Sequence, residues 1–127
     1  MTEKKINILL VEDDVFLANI YKTKFAMEGF EVVHAENGDL ALVEANRKKP
    51  DIILLDILLP KKDGFAVLTE LKKENSEVKD IPVILLTNLG QKDDVEKGLE
   101  MGAEDYLIKA HFKPSEVVEK VRKILKI

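Results

Sequence analysis

A chain of 127 residues without a cysteine is long enough for one domain with an ordinary core, and it excludes disulfides, thiolate metal sites and cysteine nucleophiles. A net charge of −4 argues against nucleic-acid binding by bulk electrostatics. No apolar stretch approaches the ~20 residues of a membrane-spanning helix, and residues 1–5 are polar with no signal-peptide core, so the expected compartment is the cytoplasm.

In chain order, strand and helix signals alternate five times. The first strand covers residues 6–11 and runs into Glu12-Asp13. Asp14 caps a helix whose expected buried face is Leu17, Ile20, Tyr21 and Phe25, ending at Gly29. A short second strand, Glu31 to Ala35, carries β-branched Val32-Val33. Asn37-Gly38 opens a helix with Ala41, Leu42 and Ala45 inward, stopped by Pro50. The third strand, Ile52 to Leu55, meets Asp56, and Pro60 to Gly64 forms a turn before a helix bearing Phe65, Leu68 and Leu71. A polar loop, Asn75 to Asp80, precedes the fourth strand, Val83 to Leu86, which meets Thr87. A weaker helix with Val95 and Leu99 is punctuated by Gly98 and Gly102. The fifth strand, Tyr106 to Ile108, meets Lys109, and the last helix has Pro114 in its first turn and buries Val117, Val121, Ile124 and Leu125.

Strands this short and this apolar are buried on both faces, as in a parallel sheet. Right-handed crossovers then place helices on both sides of a (βα)₅ sheet, giving an α/β fold. The pattern predicts one domain over 1–127, with an ordered core from about residue 5 and no output domain.

The carboxyl ends of the strands in such a sheet form the crevice where ligands bind. Glu12, Asp13, Asp56, Thr87 and Lys109 therefore converge there. Each has an ordinary explanation taken alone: a cap, a turn residue, a strand threonine, a solvated lysine. Together, at the same edge of one sheet, they predict a site. Two carboxylates about 5 Å apart repel by about 3 kcal/mol at an effective dielectric of ~20. Three in one crevice need a proton or a cation, and an all-oxygen set favours a hard ion such as Mg²⁺. His34 and His111 lack a ligand partner at metal spacing and are expected at the surface or behind the site.

The strings I-L-L-V-E-D-D, I-I-L-L-D-I-L-L-P-x-x-D-G, V-I-L-L-T and Y-L-I-K resemble, in order and spacing over nearly the whole chain, the receiver domain of two-component response regulators. The resemblance implies a flavodoxin-like fold with strand order 2-1-3-4-5. It implies that Asp56 accepts a phosphoryl group from a sensor histidine kinase, a phosphotransfer protein or a small phosphodonor. Asp13, Asp56 and the backbone carbonyl of Leu58 would ligate Mg²⁺, with Mn²⁺ as a substitute and Glu12 acting mostly through water. Lys109 and Thr87 would hold the phosphoryl group. Movement of Thr87 would let Tyr106 turn inward and remodel the face of the fourth helix, fifth strand and fifth helix for a downstream protein, with a monomer or a phosphorylation-dependent dimer as the assembly. No nucleic acid, membrane or further enzymatic activity is implied.

Three features depart from the family. Lys109-Ala110-His111-Phe112 replaces the usual lysine, cis proline and phenylalanine with one extra residue and no proline, so a different loop geometry is expected and His111 is a candidate contact. Asn88 follows Thr87 where a small residue is usual, and either narrows access to Asp56 or hydrogen-bonds the phosphoryl group. Leu58 and Leu89 occupy positions that often carry polar side chains tuning hydrolysis, which predicts a long-lived phosphoryl group.

Other classes fit less well. A haloacid-dehalogenase phosphatase needs an acid where Leu58 stands, and a flavin or nucleotide binder needs a Gly-rich phosphate loop that is absent. A receiver that binds partners without phosphorylation, and a receiver cut from a longer regulator, are the alternatives within the family. Val95, Leu99, Tyr106 and Val118 are candidate contributors to a partner surface.

Overall fold

The computed structural model describes residues 5–127, so most of the polar stretch 1–5 lies outside the described residues. Five parallel strands, β1 (Asn7–Val11), β2 (Glu31–Ala35), β3 (Ile52–Leu55), β4 (Val83–Thr87) and β5 (Asp105–Ile108), lie in the order β2-β1-β3-β4-β5. Between and after them run α1 (Val15–Met27), α2 (Gly38–Lys48), α3 (Gly64–Leu71), α4 (Lys92–Glu100) and α5 (Pro114–Leu125), with a 3₁₀ turn at Lys109–His111 before α5. This is the expected flavodoxin-like (βα)₅ sheet.

The two-residue period of the strands separates two cores. Leu9, Val11, Ile53, Leu55, Val83 and Leu85 face Ala41 and Ala45 of α2 and Val67, Leu68 and Leu71 of α3. Ile8, Leu10, Ile52, Leu54, Ile84 and Leu86 face Ala18, Tyr21 and Phe25 of α1 and Val117, Val118 and Val121 of α5. Every residue of β3 and β4 is buried, which explains the apolar run of β3 and that of β4 up to Thr87.

Helix starts follow local chemistry. Asp14, Asn37 and Asp63 each accept a hydrogen bond from the backbone N–H three residues on, closing α1, α2 and α3 at their N-termini. Gly64 is the tightest of these starts. A Cβ there would lie 2.4 Å from the Asp56 carbonyl oxygen and 2.5 Å from Ile57 Cα, so only glycine lets α3 begin against the end of β3.

Several expected burials are corrected. Ile20 is 51% exposed, because α1 centres its buried face on Ala18, Tyr21 and Phe25 and Ile20 lies about a third of a turn outside it. Of the candidates for a partner surface, Leu99 is 45% exposed, whereas Tyr106 and Val118 are buried. Leu42, Phe65, Val95, Ile124 and Leu125 are half-buried at the core margins. Gly98 does not interrupt α4. It is the buried residue of that helix, and a Cβ there would meet Leu85 Cδ1 at 2.5 Å, so its small size brings α4 onto the sheet.

Candidate phosphoryl-acceptor and metal site

Parallel register brings the strand ends to one edge of the sheet. Val11 pairs with Leu55, Leu55 with Leu85, and Thr87 with Ile108. Of the residues that follow, Asp56 after β3 and Lys109 after β5 flank Thr87 at the end of β4, and Glu12-Asp13 after β1 lie on the other side of β3. Among the described residues, Glu12, Asp56 and Thr87 are the buried polar ones, at 2%, 4% and 0% exposure, and all three belong to this crevice. A protein buries such groups only when they find partners.

Those partners are specific. Lys109 Nζ donates to Asp56 Oδ2 at 2.6 Å and also to Glu12 Oε1. The Leu58 N–H donates to Asp56 Oδ1 at 3.1 Å, and the Asp14 N–H to Glu12 Oε2 at 3.1 Å. Backbone bonds extend the strand pairing past the strand ends, from the Glu12 N–H to the Ala35 carbonyl and from the Asp56 N–H to the Val11 carbonyl. Both acids are thereby held on the sheet rather than on free loops.

Asp13 is exposed at the mouth. One carboxylate oxygen from each of Glu12, Asp13 and Asp56 lies within 4.8 Å of the others. Burial pushes the Glu12 carboxyl above its usual range, an effect that the Lys109 and Asp14 hydrogen bonds oppose. Lys109 shows the converse balance. Burial pulls its ammonium down, but the bonds to Asp56 and Glu12 outweigh that and leave it raised. Three acids against one ammonium leave an excess of negative charge, and the donor set is all oxygen, so the crevice fits a hard divalent cation.

The predicted site residues fall as follows. Asp56, Glu12, Asp13, Lys109 and Thr87 come together. Thr87 Oγ1 accepts the Leu89 N–H at 3.3 Å, and the Tyr106 hydroxyl donates to the Leu89 carbonyl. The Tyr106 ring lies inward in this structure. Leu58 holds Asp56 through its amide while its side chain is exposed. Asn88 is exposed, and its Oδ1 accepts the Ala110 N–H at 3.1 Å. The turn at Lys109–His111 has no cis peptide, as expected from the missing proline, and His111 is exposed.

Two residues support the site from behind, His34 in one of the two places expected for it and Gly64 in a role its turn signal did not reveal. His34 Nε2 contacts the Glu12 carbonyl at 2.6 Å, and Gly64 supplies the close approach beneath Asp56. The first depends on strand pairing, which places Leu10 beside His34. The Asp63-Gly64 pair did carry a turn signal, without its purpose.

Residues 8–122 match the response regulator receiver domain family. The chain is 39% identical over 126 residues to a probable transcriptional regulator, ycf27, of Porphyra purpurea, covering 99% of this chain and 50% of that protein. It is 39% identical over 119 residues to the phosphate regulon transcriptional regulatory protein PhoB of Escherichia coli K12, covering 94% and 51%. The chain thus spans about half the length of the curated relatives it matches. The receiver domain of Francisella response regulator 1452 superposes with a TM-score of 0.88 at 33% identity, covering 96% of this chain and 98% of that one. Strand order, acidic crevice and sequence agree, and the chain belongs to the receiver domains of the two-component response regulators.

Proposed function

We propose that Asp56 accepts a phosphoryl group and that its phosphorylation controls protein contacts. The observation that carries this reading is the buried Asp56 carboxylate, 2.6 Å from Lys109 Nζ and grouped with Glu12 and Asp13 at the strand ends. A carboxylate oxygen of Asp56 attacks phosphorus. The bond that breaks is P–N in a phosphohistidine of a sensor kinase or phosphotransfer protein, or P–O in a small acyl phosphate.

Glu12, Asp13 and Asp56, with the Leu58 carbonyl, would hold Mg²⁺ or Mn²⁺. A bound divalent ion neutralises charge on the transferred oxygens. Lys109 offers its ammonium to the same oxygens, from a position already fixed against Asp56. Thr87 offers a hydroxyl, since its Oγ1 accepts the Leu89 amide and its proton is free to point at the phosphoryl group. The new dianion competes with Asp56 and Glu12 for Lys109 and draws on Thr87, and the Leu89–Tyr106 link carries that change to β5 and the face of α4 and α5.

The relatives named transcriptional regulators favour an output in transcription, delivered by a separate protein or by a further part of the same polypeptide. Incubation with acetyl phosphate and Mg²⁺ should add one phosphoryl group, detected by intact mass. Asp56→Asn or EDTA should prevent it. Labelling of Asp56→Asn to the native extent contradicts the reading.

A further inference from the structure

The turn Lys109–His111 carries the ammonium of the site, yet its own backbone needs anchoring. The opening N–H groups of a 3₁₀ turn have no partner within the turn. Ala110 donates its N–H to Asn88 Oδ1 at 3.1 Å, which also fixes the orientation of the Asn88 amide, because only its oxygen can accept. Asn88 stands between Thr87, whose Oγ1 accepts the Leu89 N–H, and Leu89, whose carbonyl accepts the Tyr106 hydroxyl. The segment after it enters α4 through Gln91, which makes no side-chain cap. The loop 87–91 is therefore held from β5 and the lysine turn rather than by a helix cap.

We propose that Asn88 is a positioning residue: its hydrogen bond to the Ala110 amide ties the turn bearing Lys109 to the loop bearing Thr87. The two groups offered to the phosphoryl oxygens then sit at a fixed separation and move as one unit. A proline at position 110 would have no N–H to donate, so the link depends on two features of this chain together, an amide side chain at 88 and a free backbone donor at 110. Both residues are exposed, so the bond adds little to global stability and its consequence is local.

This inference rests on the reading of Asp56 as phosphoryl acceptor, and the test separates the two. Asn88→Leu keeps the branched four-atom skeleton and removes the acceptor; Asn88→Asp keeps the acceptor. In Asn88→Leu, deuterium exchange at the Ala110 amide, followed by NMR, should accelerate roughly three- to tenfold while the melting temperature holds. The Lys109 amide resonance should shift. Phosphorylation at saturating acetyl phosphate should slow by a similar factor, with the half-saturating donor concentration unchanged. Asn88→Asp should restore both exchange protection and rate. Unchanged Ala110 exchange overturns the link, as does faster exchange with no change in rate. If the native chain takes up no phosphoryl group, the reading of Asp56 falls instead, and Ala110 exchange with the Lys109 shift still decides the link.

Discussion

Lys109 Nζ lies 2.6 Å from Asp56 Oδ2, although the strands that deliver the two residues, β5 and β3, are separated by β4. The lysine reaches across the end of β4, where Thr87 sits, to engage both Asp56 and Glu12. Removing the lysine and removing Asp56 should therefore differ in their cost to stability.

Lys109→Met leaves Glu12 and Asp56 buried without a counter-charge, and breaking a buried pair in this way costs about 3 kcal/mol. Asp56→Asn removes one of the repelling acids and keeps the Lys109–Glu12 pair, so its stability should stay within about 1 kcal/mol of native. Urea denaturation at neutral pH in metal-free buffer measures both. Equal losses in the two variants would show that the pair does not govern local stability.

Tyr106 tests the inward ring. Burial, with Asp94 and Asp56 adding to it, pushes its hydroxyl from 10.0 up to about 12. The folded pKa is raised, so the stability tied to the protonated phenol is complete below pH 10 and is lost as pH rises toward about 12. Phenolate absorbance of the folded protein should lag that of the unfolded chain across this window. Tyr106→Phe should flatten the fall in stability, leaving the contribution of Tyr21, whose hydroxyl burial also raises. A Tyr106 midpoint near 10 would place the ring in water.

Gly64→Ala probes the backbone beneath the site. The added methyl would meet the Asp56 carbonyl at 2.4 Å, and neither that atom nor Ile57 Cα can yield as a flexible side chain would. Destabilisation of about 1–3 kcal/mol is expected, with reduced phosphorylation because Asp56 is displaced. Native-like melting and labelling would show that α3 has slack at its start.

The site was legible in the sequence for a physical reason. Strands buried on both faces leave continuous apolar runs, and the first polar residue after each run marks a strand end. Asp56, Thr87 and Lys109 are such residues. What the sequence left open depended on partners chosen by the fold. Ile20 fits a helical period but lies beyond the edge of the face that Ala18 and Phe25 define, and period alone does not set that edge. Gly98 reads as a breaker until Leu85 is seen against it. Asn88 stood out by type, yet its partner, the Ala110 N–H, belongs to a turn whose geometry the missing proline left undetermined.

Phosphoryl lifetime follows from Leu58 and Leu89. The first projects to solvent, the second is half-buried, and neither side chain can orient an attacking water. The phosphorylated protein should persist well beyond a few minutes after donor removal. Leu58→Asn, which adds a polar group beside Asp56, should shorten that lifetime by roughly tenfold. Decay of the native form within a few minutes would show that these leucines do not restrict hydrolysis.

The most direct measurement locates the phosphoryl group. Protein treated with acetyl phosphate and Mg²⁺ is reduced with borohydride, which converts an aspartyl phosphate to homoserine, and is then digested and sequenced by tandem mass spectrometry. Homoserine at position 56, absent without the donor, is the expected result. Homoserine at Asp13 or elsewhere, or none after intact mass has shown an adduct, would contradict Asp56 as the acceptor.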